Sequence, residues 1–321
     1  MTRPRNKIGN RLGLAIRRAS FHDKEDLQRL CEAAVGADDY VIPILDKVLL
    51  EHTIMIALDE AERVIGMMAL VHSVDGGGWL GMARTHPDHR QKGVATSLIE
   101  RFIGLAGRSG TPCLRLWTDH DNAAASGTAR SLGFREISRF VRVNGPTLGG
   151  PLRAEKVGFD ESLWTAMRGS NILAKGAGYF CYDWCFVPVS RSTLATICAR
   201  GHTYAFGGNI LCFDPFLDSL TEAFGFSMLA GRPSEMLPEA RRQAGSYGCE
   251  SASAFIPNDS SLIVMAKKAG YSLGHWGRVA VLYELTVPRS IWTQRIIPQE
   301  LRHRPLLPSN LPRGRSPGQE R

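Results

Sequence analysis

The residues best suited to chemistry form a short basic run, His89-Arg90-Gln91-Lys92-Gly93-Val94-Ala95-Thr96. The run follows a predicted strand and opens a predicted helix. Such a junction aims several unpaired backbone N–H groups at one spot, and the helix dipole adds positive potential there. Gly93 has no Cβ, so the backbone can approach a phosphate closely, and Ala95 keeps the next approach small. His89, Arg90 and Lys92 add charge. On physical grounds this is a pyrophosphate cradle; the plainer alternative is a capped helix with solvated basic residues. The spacing lacks the terminal Gly-Lys-Ser/Thr of a nucleotide P-loop and the Gly-x-Gly-x-x-Gly of a dinucleotide turn, which disfavours those ligands.

The elements that must position this run can be read along the chain. Residues 1–12 form a basic arm. A strand is predicted over 14–18, and a helix capped by Asp23 through about Ala34, with Leu27, Leu30, Cys31 and Ala34 at helical spacing. A short helix near 43–50 precedes a hairpin of two strands, 52–58 and 63–74, joined by a turn at 59–62. The strand 79–85 stops at Pro87, since proline cannot donate to the ladder. After the basic run come an amphipathic helix over 94–107, a strand over 113–118, and a helix capped by Asp121 or Asn122 that ends at Gly133. A strand over 134–143 closes this half.

A Gly/Pro-rich boundary, 144–151, opens a linker segment through 176 with one helix around 162–168. Strands over 179–187, 203–206 and 209–213, a helix near 192–199 and a turn at Asp214-Pro215 are predicted next. Trp164, Trp184 and Trp276 are expected in the core. Residues 291–321 form a C-terminal extension, rich in Pro, Arg and Ser towards its end and expected to be largely disordered. An internal echo links the halves. Asn122 is followed eleven and twelve residues later by Gly133 and Phe134, and Asp259 at the same offsets by Gly270 and Tyr271. Duplication is one reading of it.

In order and spacing, the strand ending Thr85-His86-Pro87-Asp88-His89, the run Arg90-Gln91-Lys92-Gly93-Val94-Ala95, the helix, the strand, Asn122 and Leu132-Gly133-Phe134 resemble the GNAT superfamily of acetyl-CoA-dependent N-acetyltransferases. The resemblance covers about residues 13–143. It implies an α/β fold with a twisted mixed sheet flanked by helices, and acetyl-CoA as co-substrate. It implies that the amides of about Gln91 to Thr96 hold the CoA pyrophosphate, with Thr85, Arg90, Lys92, Gly93, Val94 and Ala95 in the cofactor site. The strand 79–85 would pair with the pantetheine arm and supply an oxyanion N–H. Asn122 matches a position that contacts the pantetheine region. One departure is plain: many members carry a Tyr seven residues after that Asn, and here the position is Ala129. Asp38-Asp39-Tyr40-Val41, Val64-Ile65-Gly66, Val74-Asp75-Gly76-Gly77 and Arg84-Thr85-His86-Pro87 loosely resemble the histidine N-acetyltransferase-like branch, which makes Asp39 and Tyr40 candidates for the acceptor site. The second half, 177–290, resembles a degenerate GNAT domain. Where a phosphate loop should sit it reads Gly231-Arg232-Pro233-Ser234-Glu235-Met236-Leu237-Pro238, and the acid and prolines suit no pyrophosphate. Tandem GNAT-like domains are therefore expected.

An amine acceptor must lose a proton before it attacks. Asp119, His86 and Asp39 are the candidates for the base, with His120 and Asp121 beside Asp119. Each has a structural alternative as a cap, turn or loop residue, and the base stays open. The expected acceptor is a small primary amine, with amino acids among the candidates. A non-catalytic acyl-CoA-binding module and a protein N-acetyltransferase are the rivals.

Composition bounds these readings. The 321 residues are long enough for two domains, and 44% hydrophobic and 22% charged residues suit a folded chain. No apolar run approaches the roughly 20 residues that span a bilayer. The seven cysteines are scattered without a Cys-x-x-Cys, so reduced thiols in a cytoplasmic protein are expected, with no metal. The net charge of +8 suits an anionic partner such as a phosphate-bearing cofactor. The basic residues form no aromatic-interleaved stripe, so no nucleic-acid partner is expected.

Overall fold

The computed structural model describes residues 14–218, 223–274 and 279–288. The arm at 1–12, Trp276 and the extension at 291–321 lie outside the described residues. The first half runs β1 (Ala15–Arg18), α1 (Lys24–Ala34), α2 (Leu45–Glu51), β2 (Thr53–Leu58), β3 (Val64–His72), β4 (Gly78–Thr85), α3 (Val94–Ser109), β5 (Cys113–Asp119), α4 (Ala123–Ser131) and β6 (Arg135–Pro146). The second runs β7 (Glu155–Lys156), α5 (Glu161–Arg168), α6 (Asn171–Lys175), β8 (Tyr179–Tyr182), β9 (Cys185–Pro188), α7 (Arg191–Ala199), β10 (Thr203–Phe206), β11 (Asn209–Asp218), β12 (Ala223–Ala230), α8 (Pro233–Ser246), β13 (Ser251–Pro257), α9 (Ser260–Lys268), β14 (Ser272–Leu273) and β15 (Ala280–Thr286).

Local sequence explains the helices near the site. In α1, Leu27, Leu30 and Cys31 recur on one stripe and are buried. In α3, Val94, Leu98, Phe102 and Ala106 recur at intervals of four and are buried against the sheet. Helix α3 is bracketed by Gly93 (φ 77°) and Gly110 (φ 75°), both left-handed, where a Cβ would add strain. The residues Val64–Leu70 of β3 are buried on both faces, because α1 and α2 cover one side and α3 the other.

All strands but β8 and β9, which pair with each other, join one mixed sheet in the order β1-β2-β3-β4-β5-β15-β6-β13-β12-β11-β10-β7, with β14 also paired to β6. Most neighbours are antiparallel. Two pairs are parallel, β4 with β5 and β12 with β13, and both are short. The halves repeat one another around these pairs. Asn122 caps α4 by accepting the Ala125 N–H, and Asp259 caps α9 by accepting those of Ser261 and Leu262. Gly133 (φ 89°) and Gly270 (φ 84°) follow the two helices in left-handed turns. The echo between Asn122 and Asp259 is thus a repeated structural unit.

The two halves also exchange their last strands. β15, which ends the second half, lies between β5 and β6 and is antiparallel to both. β6, which ends the first half, pairs with β13 over Pro146 to Phe140. The boundary expected at 144–151 therefore divides the chain in sequence, while the sheet runs through it. Tyr283 on β15 is fully buried in the core beneath α3 and α4.

Two local expectations are corrected. The single strand predicted over 179–187 is a hairpin, β8 and β9, turning at Asp183 (φ 53°) and Trp184 (φ 58°). Asp183 suits the first place of such a turn, but Trp184 stands where Gly is usual and hides the break. The turn predicted at Asp214-Pro215 is an irregularity within β11, where the register shifts between Asp214 and Asp218. Proline removes a ladder donor there without ending the strand.

A chain ending at residue 150 would keep every element predicted for the first half but lose β15. It is expected to show no cooperative thermal unfolding, while the full chain does. A cooperative transition in that fragment would contradict the strand exchange.

Candidate functional site

β4 and β5 are paired only at Gly78 with Leu114 and Trp79 with Arg115. Beyond those pairs the strands diverge and a slot opens, with the backbone edge of β4 along one side. An unpaired strand edge of this kind is a template for an extended ligand. A bulge shapes it further. The register with β3 steps from Met67–Arg84 to Ala69–Gly81, which leaves one extra residue on β4, and Met82 turns to φ 54°.

The basic run sits where β4 ends. Pro87–His89 makes one turn of 3-10 helix, Gln91 takes φ 60°, and Gly93 starts α3. The first amide of α3 in the helical ladder is that of Ser97, which donates to Gly93 O at 3.0 Å. The amides of Val94, Ala95 and Thr96 therefore precede the ladder. The loop is held close to the sheet because Gly66 on β3 leaves room for it: a Cβ there would meet Val94 Cγ1 at 2.4 Å. Val94 itself is core, so its side chain cannot take part in binding and only its N–H remains for a ligand. Arg90 donates through Nη2 to Ala34 O at the end of α1 (2.7 Å), which fastens the loop to the first helix. Lys92 and Gln91 are exposed. Thr85 pairs with Gly66 at the end of β4. The donors present fit a pyrophosphate: three amides, a dipole and local positive charge, around a glycine with no side chain.

The remaining predicted residues separate clearly. Asp39 is buried and accepts from Arg84 through Nε and Nη2, both at 2.6 Å, and from the Val41 N–H at 3.1 Å. Burial alone would raise its pKa, but the Arg84 guanidinium and the Val41 amide hold the carboxyl below its ordinary value. Tyr40 lies under the same guanidinium, 5.2 Å from ring centre to Arg84 Cζ. His86 is a turn residue: its Nδ1 accepts the Asp88 N–H at 3.4 Å, and its N–H donates to Ile65 O. Asn122 spends its Oδ1 on the helix cap.

Asp119 is different. It ends β5, and its Oδ1 is buried with no hydrogen-bond partner among the described residues. Burial, and then the charge of Asp121, push its carboxyl above its ordinary value. Leu114 and Leu116 face the core beneath α3, while Arg115 and Trp117 face the β8–β9 hairpin. Strand alternation places Asp119 on the second face, the one that α1 and α2 also cover.

Sequence reasoning missed what closes this face. Arg115 donates to Asp75 through Nη2 (2.8 Å) and to Glu284 through Nε (2.6 Å), and Tyr179 donates to Glu284 (2.9 Å). This buried network joins the β3–β4 turn, β5, the exchanged strand and the hairpin. Burial and the Glu284 charge push the Tyr179 hydroxyl up to about 12. Nothing in the spacing of these four residues could have announced it. The hairpin tip reaches towards α2. Burial raises the Asp183 carboxyl, and the charges of Arg200, Lys47 and Glu51 act on it.

The equivalent place in the second half is narrowed by the chain itself. β12 and β13 diverge after Gly225 and Ser253. Beyond that point Ser227 Oγ donates to Cys181 O of the hairpin (2.6 Å), and Phe180, Leu173 and Phe140 line the small cavity that remains. At the start of α8 the Glu235 carboxylate accepts from Asn209 Nδ2 (3.0 Å) and Arg232 Nη2 (2.7 Å). An internal anion thus stands in the first turn of that helix.

Among the described residues no helix is long and apolar enough to cross a membrane, and no group of three or more His, Cys, Asp or Glu could hold a metal. All seven cysteines are free thiols.

Comparison with known proteins agrees with this architecture. Residues 22–134 match the acetyltransferase (GNAT) family. A mycothiol acetyltransferase of Mycobacterium sp. (strain JLS) is 29% identical over 136 residues, covering 40% of this chain and 44% of that protein. Another, from Mycolicibacterium gilvum (strain PYR-GCK), is 27% identical over 122 residues, 36% of this chain and 39% of that protein. The chain thus spans less than half the length of these curated relatives. The structure of a GCN5-related N-acetyltransferase from Sphaerobacter thermophilus superposes with a TM-score of 0.54 over 85% of this chain and 96% of that one, at 12% identity. The fold is therefore shared well beyond the 22–134 match.

Replacing Arg84 with Ala would leave the Asp39 carboxylate buried without its counter-charge. The expected loss of stability is about 3–5 kcal/mol, measured by denaturant unfolding, and Arg84→Lys should recover only part of it because a single ammonium cannot make both bonds. A loss within about 0.5 kcal/mol would show that the pair is not structural.

Proposed function

We propose that this chain, whose first half carries a GNAT-family domain, transfers the acetyl group of acetyl-CoA to the primary amine of a small molecule by direct attack in a ternary complex. One observation carries the reading: a diverging parallel strand pair ends at a helix start with three amides outside the ladder, and no acidic side chain stands in the first turn of that helix.

Acetyl-CoA bound there supplies an acyl thioester. The amides of Val94, Ala95 and Thr96 would hold its pyrophosphate, with Lys92 adding charge. The edge of β4 beyond Trp79 would hold the pantetheine arm and offer an N–H to the thioester oxygen as charge develops on it. Asp119 takes a proton from the acceptor ammonium. The neutral nitrogen then forms the new C–N bond as the C–S bond breaks. The amide nitrogen gives up its second proton, and the departing thiolate takes one up. Ala129 is buried in the core below α4 and brings no hydroxyl to the slot. A thiolate is stable enough to leave without a dedicated acid, and water can protonate it. The absence of that acid is also what favours the rival reading, an acyl-CoA-binding module without turnover.

Asp119→Asn decides between them. The variant is expected to bind acetyl-CoA as the parent does and to lose about 10²- to 10⁴-fold in kcat/KM for an amine. In the parent, kcat/KM should fall as pH drops through the raised Asp119 pKa, because the base must be ionised. Stability should move the other way. A carboxyl raised on folding stabilises the fold only at low pH and works against it once ionised. The variant should therefore melt no lower than the parent at pH 8. Unchanged turnover would remove Asp119 as the base, and no turnover by the parent with any amine would favour the binding module.

A further inference from the structure

We propose that Trp79 sets the length of the acyl group: the blind end of the slot admits an acetyl group and stops a longer chain. The proposal rests on the acetyl-transfer reading and adds to it the residue that selects the acyl donor.

The blind end is closed on both faces of the sheet. Trp79 and Arg115 are the last pair between β4 and β5. The cradle lies at the other end of β4, so a ligand with its phosphates there runs along the strand with its acyl end towards this pair. Leu80 and Leu116, the next residue on each strand, turn into the core beneath α3. Towards the hairpin stand Trp79 and Arg115. Arg115 is buried and ion-paired with Asp75 and Glu284, and a hydrocarbon chain cannot part such a buried charge from its partners without a large cost. Trp79 is buried as well. Its ring packs on Phe186 of β9 (6.0 Å between centres), which is held in turn by Phe140 (4.4 Å) and Phe255 (5.4 Å).

Between that stop and the bulge there is room for a small group. Gly81 follows Trp79 on the same face of β4. A Cβ placed on it would meet Trp79 Nε1 at 3.5 Å and Cδ1 at 3.6 Å, and within 4 Å no other described residue apart from its chain neighbours. The space over Gly81 therefore has the indole edge as its boundary. Met82, the bulge residue, packs instead towards α1 and α2. Phe186 belongs to the second half, which thereby takes part in selecting the donor. An open pocket would tighten binding about fourfold for each methylene it buried. A pocket stopped by an indole fixed in the core does the reverse, since a chain forced against packed side chains strains them.

Calorimetry on the full-length protein with CoA, acetyl-CoA, butyryl-CoA and hexanoyl-CoA tests this without an acceptor. The parent is expected to bind the two longer thioesters at least about tenfold more weakly than acetyl-CoA, and Trp79→Ala and Trp79→Leu to reverse that order. Equal or tighter binding of the longer chains by the parent, or an unchanged order in a variant that still unfolds cooperatively, would overturn the inference alone. Should both Trp79 variants fail to fold, Gly81→Ala decides. Its methyl makes only ordinary contact with the indole and takes up the acyl space, so the affinity for acetyl-CoA relative to CoA should fall at least about tenfold from the parent's ratio; an unchanged ratio would overturn the inference. Binding of no acyl-CoA by the folded parent would overturn the acetyl-transfer reading and this inference with it.

Discussion

The structure depends on one strand crossing over. β15 is the last described strand of the chain, yet it occupies the middle of the first half's sheet, hydrogen-bonded to β5 along Ala280–Thr286 and to β6 on its other edge. Without it β5 would be an edge, and the slot between β4 and β5 would have no fixed wall. Glu284 on that strand also fixes the charge of Arg115 at the point where the slot opens and receives the Tyr179 hydroxyl from the hairpin. Backbone pairing and a buried ion network thus converge on the same few residues. The second half is not an appendage; it holds the first in shape.

The same architecture, used twice, has been given two outcomes. Each half diverges at a parallel pair and starts a helix beside the gap. In the first, Gly66 and Gly93 clear space and the helix amides stay outside the ladder. In the second, Glu235 brings its own negative charge to the helix start, and Ser227 ties the hairpin into the gap. Steric room and unpaired donors, rather than topology, distinguish the two helix starts. The hairpin links the two halves: it is tied to Ser227 of the second, and its tip reaches towards α2 of the first.

Much of this was legible in the sequence where the signal is local. Gly93, the spacing of α3, the Asn122 cap and the Asp259 echo each follow from one segment's chemistry, and each is present. The acid in the second loop was likewise visible as Glu235. What was hidden depends on contacts between distant segments. Strand exchange leaves no trace in spacing, because β15 would read the same beside β5 of the first half or β13 of the second. The hairpin was hidden because Trp184 takes the left-handed place after Asp183 where Gly is usual. Asp39 and Tyr40 were singled out as acceptor residues, but the ion pair of Asp39 with Arg84, 45 positions away, and the Tyr40 ring under the same guanidinium could not be read from composition. Asp119 was one candidate base among several; its burial and its unpartnered oxygen set it apart only in three dimensions.

Calorimetric titration with acetyl-CoA of the full-length protein and of a Gly93→Glu variant tests the central claim most directly. Gly93 sits at φ 77° where the cradle amides converge, so a glutamate there adds strain, bulk and negative charge at once. One site per chain in the parent, lost in a variant that still unfolds cooperatively, is the result predicted. Two sites, or one site that survives the substitution, would place the ligand elsewhere, and no binding by the folded parent would remove acetyl-CoA from the account.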